Sequence, residues 1–196
     1  MATKTGILYT DITVTIKGAS DIMFDRFFGQ EADTRPPEQK LYTIEDNLVV
    51  MPSENIYAFL LGEKPGGCAA MEGKARKDYM RLGAANIIIT PDAIPFTRNG
   101  ESLHFKKFDD EIFAVSQFAP RVIKGNLSIK QNVRLRPVLK TPWELTFNVR
   151  LVDNPKISPD KLYNWFTNGG LVVGLGTYRP RFGRFVVSTF DYKERD

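Results

Sequence analysis

Regular alternation of apolar and polar side chains marks the strands of this chain. Between residues 7 and 18, every second position from Ile12 to Ile16 is apolar, and residues 143–151 repeat that period over five apolar positions. Residues 185–190 form a third run that is rich in β-branched residues and has apolar side chains at both odd and even positions. Because successive side chains of a strand point to opposite faces, the pattern predicts two strands buried on one face and a third with apolar residues on both faces.

Apolar residues at helical spacing, together with capping signals, predict three helices. The first is expected to begin with Ser53 as its cap, and the second to cover about residues 69–82. The third begins at Ser158, a capping residue followed by Pro159 at the first helical position. Gly169, in the sequence Asn-Gly-Gly, is expected to end that helix through a left-handed residue.

The order of these elements predicts the fold class. A short apolar strand at residues 86–90 completes a strand-helix-strand unit, and the last third of the chain repeats the order. We therefore predict an α+β, ferredoxin-like (RRM-like) β-α-β-β-α-β core. With 196 residues of which 42% are hydrophobic, the chain is expected to form one domain over residues 1–196. An irregular insertion is predicted over residues 92–129, and a glycine-rich loop precedes the last strand.

Charge is distributed unevenly along the chain, although the net value is only +4. Residues 1–117 carry 13 basic and 17 acidic side chains, whereas residues 118–196 carry 14 and 6. Between residues 118 and 150, Glu144 is the only acid among seven cations. A region of one sign favours a polyanionic partner, although it also suits an acidic protein or serves solubility alone. The cations of this region that we select as candidate nucleic-acid contacts are Arg121, Lys124, Arg134 and Arg136.

The segment from Gly169 to Phe185 combines five glycines, three arginines and three aromatic residues within seventeen positions. Glycine permits close backbone approach, arginine binds phosphate through a planar fork, and an aromatic ring can stack on a base. The composition indicates a nucleic-acid contact loop. It fits equally well a tight connection that needs glycine for conformational reasons and leaves its arginines solvated.

Several classes of protein do not fit the sequence. The single Cys68 cannot form an internal disulfide, and with His104 as the only histidine no zinc-ligand cluster is present. No stretch approaches the roughly 20 apolar residues of a membrane span, and Gly174-x-Gly176 lacks the third glycine of a dinucleotide fingerprint. We expect a cytoplasmic protein, active in a reducing compartment, that has no metal, cofactor or membrane partner.

The segment from Gly174 to Phe185 resembles the glycine-rich loop of the CRISPR-associated RAMP proteins, especially those that form the RNA-binding backbone of effector complexes. The chain is even more similar to small phage-encoded RAMP-like proteins. The motifs it shares with them are Pro-x-x-Asn-Ile at Pro52–Ile56, Trp-x-Leu-x-Phe at Trp143–Phe147, and the Arg-Pro-x-Phe-Gly-Arg-Phe ending.

This resemblance implies binding to the backbone of single-stranded nucleic acid, RNA in preference to DNA, by several copies side by side as a homo-oligomer or filament along the strand. Our first hypothesis is therefore a non-catalytic binder, in which loop arginines grip phosphates and Tyr178 and Phe182 stack on bases. The candidate contacts in the loop are Gly174, Gly176, Tyr178, Arg179, Arg181, Phe182, Gly183 and Arg184.

Two alternatives stay open at the level of sequence. One is a protein-binding phage factor that mimics or blocks a host effector subunit. The other is a metal-independent endoribonuclease, for which His104 is the only histidine available for acid-base chemistry. Asp21 and Asp25, in the loop after the first strand, would be the candidates for metal-dependent cleavage.

Overall fold

The structure is a computed structural model that describes residues 8–26, 35–63, 66–117, 121–123, 126–128 and 134–192. At residues 117, 121–123, 126–128 and 134 it describes the backbone alone.

Twelve strands and three α-helices are formed by the described residues. The strands are β1 (Tyr9–Gly18), β2 (Ile22–Met23), β3 (Val50–Pro52), β4 (Ile87–Thr90), β5 (Ala93–Arg98), β6 (Glu101–Ser102), β7 (Ile112–Gln117), β8 (Arg121–Ile123), β9 (Asn126–Ser128), β10 (Arg134–Leu139), β11 (Glu144–Val152) and β12 (Phe185–Tyr192). The α-helices are α1 (Ser53–Leu61), α2 (Arg76–Asn86) and α3 (Pro159–Val172), and 3₁₀ segments cover Pro37–Lys40, Glu45–Asn47 and Cys68–Ala75.

The main sheet is built around β1, the strand predicted from the first alternating segment. β1 pairs with β11 on one side, from Tyr9 opposite Val152 to Lys17 opposite Glu144, and with β12 on the other, all antiparallel. β4 and β5 both pair antiparallel with β11, at different stretches of its length, and β3 and β6 extend the sheet beyond β5. The α+β class predicted from the sequence is confirmed.

One face of this sheet forms the core. Phe59 of α1 lies against Phe166 of α3 and Phe185 of β12, with ring centroids 5.6 and 5.1 Å apart, and Phe166 also contacts Phe147 of β11. The predicted inward positions of β1 and β11 are all buried. On β1 and β11 the opposite face is polar, with side-chain pairs such as Thr15 with Thr146.

The predicted insertion, residues 92–129, divides between different sheets. β5 and β6 form a hairpin that belongs to the main sheet, with Asn99 and Gly100 in left-handed conformation (φ 53° and 84°) at its turn, as the Asn-Gly pair indicates. β7 pairs instead with β10, which also pairs with β2 in a separate three-stranded sheet, and β8 pairs with β9. The domain boundaries drawn from the sequence stay a prediction.

The start of one helix follows the prediction, and the starts of the other two depart from it. The Ser158 hydroxyl accepts the Lys161 N–H at 3.1 Å, with Pro159 at the first position, as predicted. The cap assigned to Ser53 is wrong, because Ser53 lies inside α1 and Pro52 occupies the cap position with no side-chain hydrogen bond. The α-helix predicted from residue 69 begins only at Arg76, because a 3₁₀ segment with left-handed Gly73 (φ 60°) precedes it.

The end of α3 also lies beyond its predicted position. Gly169 and Gly170 are buried within the helix, which continues to Val172. Gly169 has no room for a side chain, because a Cβ there would meet the Cys68 sulfur. The left-handed terminator is instead Gly174 (φ 72°), whose N–H donates to the Gly169 carbonyl at 3.0 Å.

Candidate nucleic-acid interface

The connection between α3 and β12, residues 173–184, is held against the segment that follows β1. The Thr177 N–H donates to the Met23 carbonyl at 2.9 Å, and the Gly183 N–H donates to the Asp21 carbonyl at 2.8 Å. Within the loop, the Leu175 N–H donates to the Gly183 carbonyl at 2.8 Å. These bonds fix the two ends of the loop, so its middle is presented as a closed turn.

The glycines of the loop are required by its own packing. A Cβ on Gly176 would lie 2.5 Å from the Met23 carbonyl oxygen, and one on Gly183 would overlap the Leu175 carbonyl. Both residues also have positive φ values of 75°. The interpretation that the loop needs these glycines for conformational reasons is therefore supported. The N–H groups of Gly174 and Gly183 donate to carbonyls of the chain itself and are not free to bind a ligand.

Three side chains of the loop face solvent. Tyr178 is 43% exposed and Arg181 and Arg184 are exposed, while the partly buried Phe182 ring lies 6.3 Å from the Tyr178 ring. No ion pair joins Arg181 or Arg184 to a carboxylate of the described residues. The loop thus carries two cations without a described carboxylate partner beside an aromatic pair, and their role as nucleic-acid contacts stays a prediction.

Arg179 has different surroundings from the other two loop arginines. Its side chain is half-buried, and its Nη1 donates to the Gly174 carbonyl at 3.3 Å. Burial lowers the pKa of the guanidinium, since desolvation disfavours its charge. The nearby Cys68 thiol does not neutralise that charge, because burial raises the pKa of this thiol and keeps it protonated.

The candidates outside the loop are only partly placed. Arg136 forms an ion pair with Asp25, with 2.9 Å between Nε and Oδ2, and the two side chains are only 13% and 18% exposed. Its charge is therefore already matched within the chain. Arg121 in β8 and Arg134 at the start of β10 are described by their backbone alone, and Lys124 lies outside the described residues.

The residues named for cleavage chemistry are engaged elsewhere. His104 Nδ1 lies 2.9 Å from the Asp46 carbonyl oxygen, on an exposed bridge beside β3. The Asp21 carboxylate accepts the Thr141 N–H at 2.9 Å, and Asp25 holds Arg136. Within the described residues, no three His, Cys, Asp or Glu side chains lie together as a potential metal site.

The apolar residues that flank this loop were not among the candidates predicted from the sequence. Met71, Leu171 and Val172 are 44%, 49% and 63% exposed, and Met71 and Val172 line one cleft with Arg179. The available signal was the apolar run that follows Gly170, which the sequence pattern assigned to the loop rather than to the last turn of α3.

None of the described helices is both long and apolar enough to cross a bilayer.

Comparison with known proteins gives a fold relationship and no family. No protein-family model matches the chain, and no curated protein matches it either. Among solved structures, the chain is similar to one in the cryo-EM structure of the Type III-B Cmr-beta bound to cognate target RNA, with a TM-score of 0.56 and 13% identity. The match covers 95% of this chain and 61% of that chain. At this identity the likeness shows a shared fold alone.

Proposed function

We propose that this protein binds single-stranded RNA without cleaving it, through the loop that joins α3 to β12. The observation that carries the proposal is the pair of exposed arginines, Arg181 and Arg184, which have no carboxylate partner in the described part of the chain. They lie on the same loop as the partly exposed rings of Tyr178 and Phe182. The similarity to a chain from an RNA-bound assembly adds support.

The chemistry of the loop suits a flexible strand better than a duplex. Arginine forks bind backbone phosphates, and each base stacked on an aromatic ring contributes about 1–3 kcal/mol irrespective of sequence. The open face of the main sheet, by contrast, pairs its own charges, as in Lys17 with Glu144 at 3.3 Å and Arg150 with Asp11 at 2.7 Å. We therefore place the strand on the loop and not across the sheet.

We also assign the main sheet to the ferredoxin-like order and the chain to the RAMP proteins, with the small phage-encoded members as the nearest group. The pairings that support this order run β12, β1, β11, β4, all antiparallel, with α1 and α2 between β1 and β4 and α3 between β11 and β12. Several copies bound side by side along one strand are part of the same proposal.

Fluorescence anisotropy with a labelled 20-nucleotide single-stranded RNA tests the proposal, with DNA of the same sequence and duplex RNA as competitors. We expect the R181Q and R184Q variants to weaken binding, each lowering the slope of log affinity against log salt by about 0.7. The matched control is R150Q, an exposed arginine roughly 20 Å along β1 from the loop. Equal weakening by R150Q, or no salt-dependent binding by the wild type, would refute the loop as the RNA site.

A second candidate function, binding to a protein as a factor that mimics or blocks an effector subunit, is favoured by the exposure of Leu171 and Val172. Exposed apolar patches mark protein interfaces. Purification distinguishes the two functions, since the RNA binder carries nuclease-sensitive polynucleotide and the protein-binding factor carries a stoichiometric protein.

Labelled RNA should stay intact with wild type and H104A alike, because our proposal assigns no catalysis to His104.

A further inference from the structure

A cleft of about 290 Å³ opens beside the proposed RNA-binding loop, between residues 66–71 and residues 172–180. Its walls are mainly apolar, and Arg179 is the one charged side chain among the described residues that line it. The remaining lining residues are Gly66, Gly67, Ala70, Met71, Val172, Val173 and Pro180.

Arg179 keeps unused hydrogen-bonding capacity in this cleft. Its guanidinium has five N–H donors. One of them, on Nη1, donates to the Gly174 carbonyl at an N–O distance of 3.3 Å. No described carboxylate pairs with it, and the buried Cys68 thiol stays neutral. A half-buried guanidinium that lacks an internal counter-ion is costly, so a ligand that supplies acceptors at this position is favoured.

The walls of the cleft select the kind of acceptor. A phosphate is strongly hydrated, and moving it between apolar walls with one arginine loses more solvation than it does at the exposed Arg181 and Arg184. A nucleobase is flat, and its faces tolerate apolar contact while its polar groups lie along its edges. Among the bases, guanine presents two adjacent acceptors, O6 and N7, that match the arginine fork.

We propose that the cleft binds one guanine base of the RNA strand, with Arg179 donating to O6 and N7 and with Met71 and Val172 against the ring faces. This inference rests on the proposed function, because the strand must first be held by the loop. Arg181 and Arg184, two and five residues from Arg179, would hold the neighbouring phosphates. The protein then prefers strands that contain guanine, whereas the phosphate contacts alone show no preference.

Competition anisotropy with three nine-nucleotide RNAs tests this proposal: U9, U4GU4 and U4AU4. Against a wrong base, a bidentate arginine contact gives discrimination on the order of tenfold. We expect the wild type to bind U4GU4 about tenfold more tightly than U4AU4. The R179Q variant should bind U4GU4 and U4AU4 with equal affinity, whereas R181Q should weaken all three RNAs by the same factor and so keep the preference for U4GU4.

A second variant keeps the test independent of any packing role of Arg179. Val172 is 63% exposed, so V172E is expected to fold, and its carboxylate would lie in the same cleft as Arg179. It should abolish the preference for U4GU4, whereas L171E, on the neighbouring exposed position, should leave that preference intact and show that added charge alone is not the cause. Circular dichroism confirms that each variant is folded.

The outcomes separate this inference from the proposed function. Equal affinity of the wild type for U9, U4GU4 and U4AU4 overturns the guanine site and leaves the RNA-binding loop standing. A preference for U4GU4 that survives both R179Q and V172E overturns the placement of the base. Failure to bind any of the three RNAs, with a protein copurifying through Val172, overturns both proposals.

Discussion

Gly183 offers the sharpest test of how the loop is built, because both its N–H and its carbonyl group form backbone hydrogen bonds. Its carbonyl accepts the Leu175 N–H, its own N–H donates to the Asp21 carbonyl, and its φ is 75°. A methyl group at this position would overlap the Leu175 carbonyl. The G183A variant must therefore shift the backbone of residue 175 as well as adopt an unfavourable conformation.

The expected loss follows from two contributions. A non-glycine residue in the left-handed region costs about 1 kcal/mol. Displacing Leu175 breaks a buried backbone hydrogen bond, which costs a further 1–3 kcal/mol when the groups are left unpaired. We expect G183A to lower the free energy of unfolding by about 3 kcal/mol, or the melting temperature by about 6–12 °C for a domain of this size.

Thermal unfolding followed by circular dichroism measures this loss, with G100A as the matched control. Gly100 has a similar φ of 84°, but a Cβ there would have no heavy atom within 4 Å. Both substitutions restrict the unfolded chain equally, so G100A isolates the conformational cost, about 1 kcal/mol or 2–4 °C. If the two variants lose the same stability, the crowding at Leu175 has no energetic consequence and the account of the closed loop is wrong.

Further predictions concern charged groups elsewhere. R136M should destabilise the protein by about 2 kcal/mol, because it leaves the largely buried Asp25 without its cation; a D25N/R136M double variant should lose less than the sum of the single losses in urea titrations. Burial alone would raise the pKa of Glu72, but hydrogen bonds from Lys161 and Trp165 hold that pKa below its usual value. The stabilisation from ionised Glu72 is therefore present above the ordinary carboxyl pKa of about 4.3 and is lost as the pH falls below it. E72Q should be less stable than the wild type at pH 7, and this deficit should shrink as the pH falls below about 4.3; a deficit that does not change between pH 7 and pH 3 would contradict this assignment.

Local patterns were sufficient for the alternating strands β1 and β11 and for one helix start. The alternation in β1 and β11 predicted which side chains are buried, because the two-residue period of a strand is a property of the backbone alone. Ser158 was recognisable as a cap since its partner, the Lys161 N–H, lies three residues away. Ser53 carries the same signal, but tertiary packing places it inside α1 with Pro52 as the cap.

The candidate site was predicted in composition but not in arrangement. The sequence identified the loop from its arginines, glycines and aromatic residues, and Arg181 and Arg184 are exposed as that hypothesis requires. It could not distinguish Arg179, whose half-buried position depends on the contact of two segments more than one hundred residues apart. RNA binding itself and the individual contact residues stay predictions.

Sequence by itself determined the α+β class, the alternating strands and the cationic loop, because each depends on residues within a few positions of one another. Only the tertiary structure decided which cations are available to a ligand. Arg136 and Asp25 are 111 residues apart and lie in contact once β10 pairs with β2, so the charge of Arg136 is matched within the chain. Charge neutralisation and burial depend on distances in space, and a linear pattern does not contain those distances.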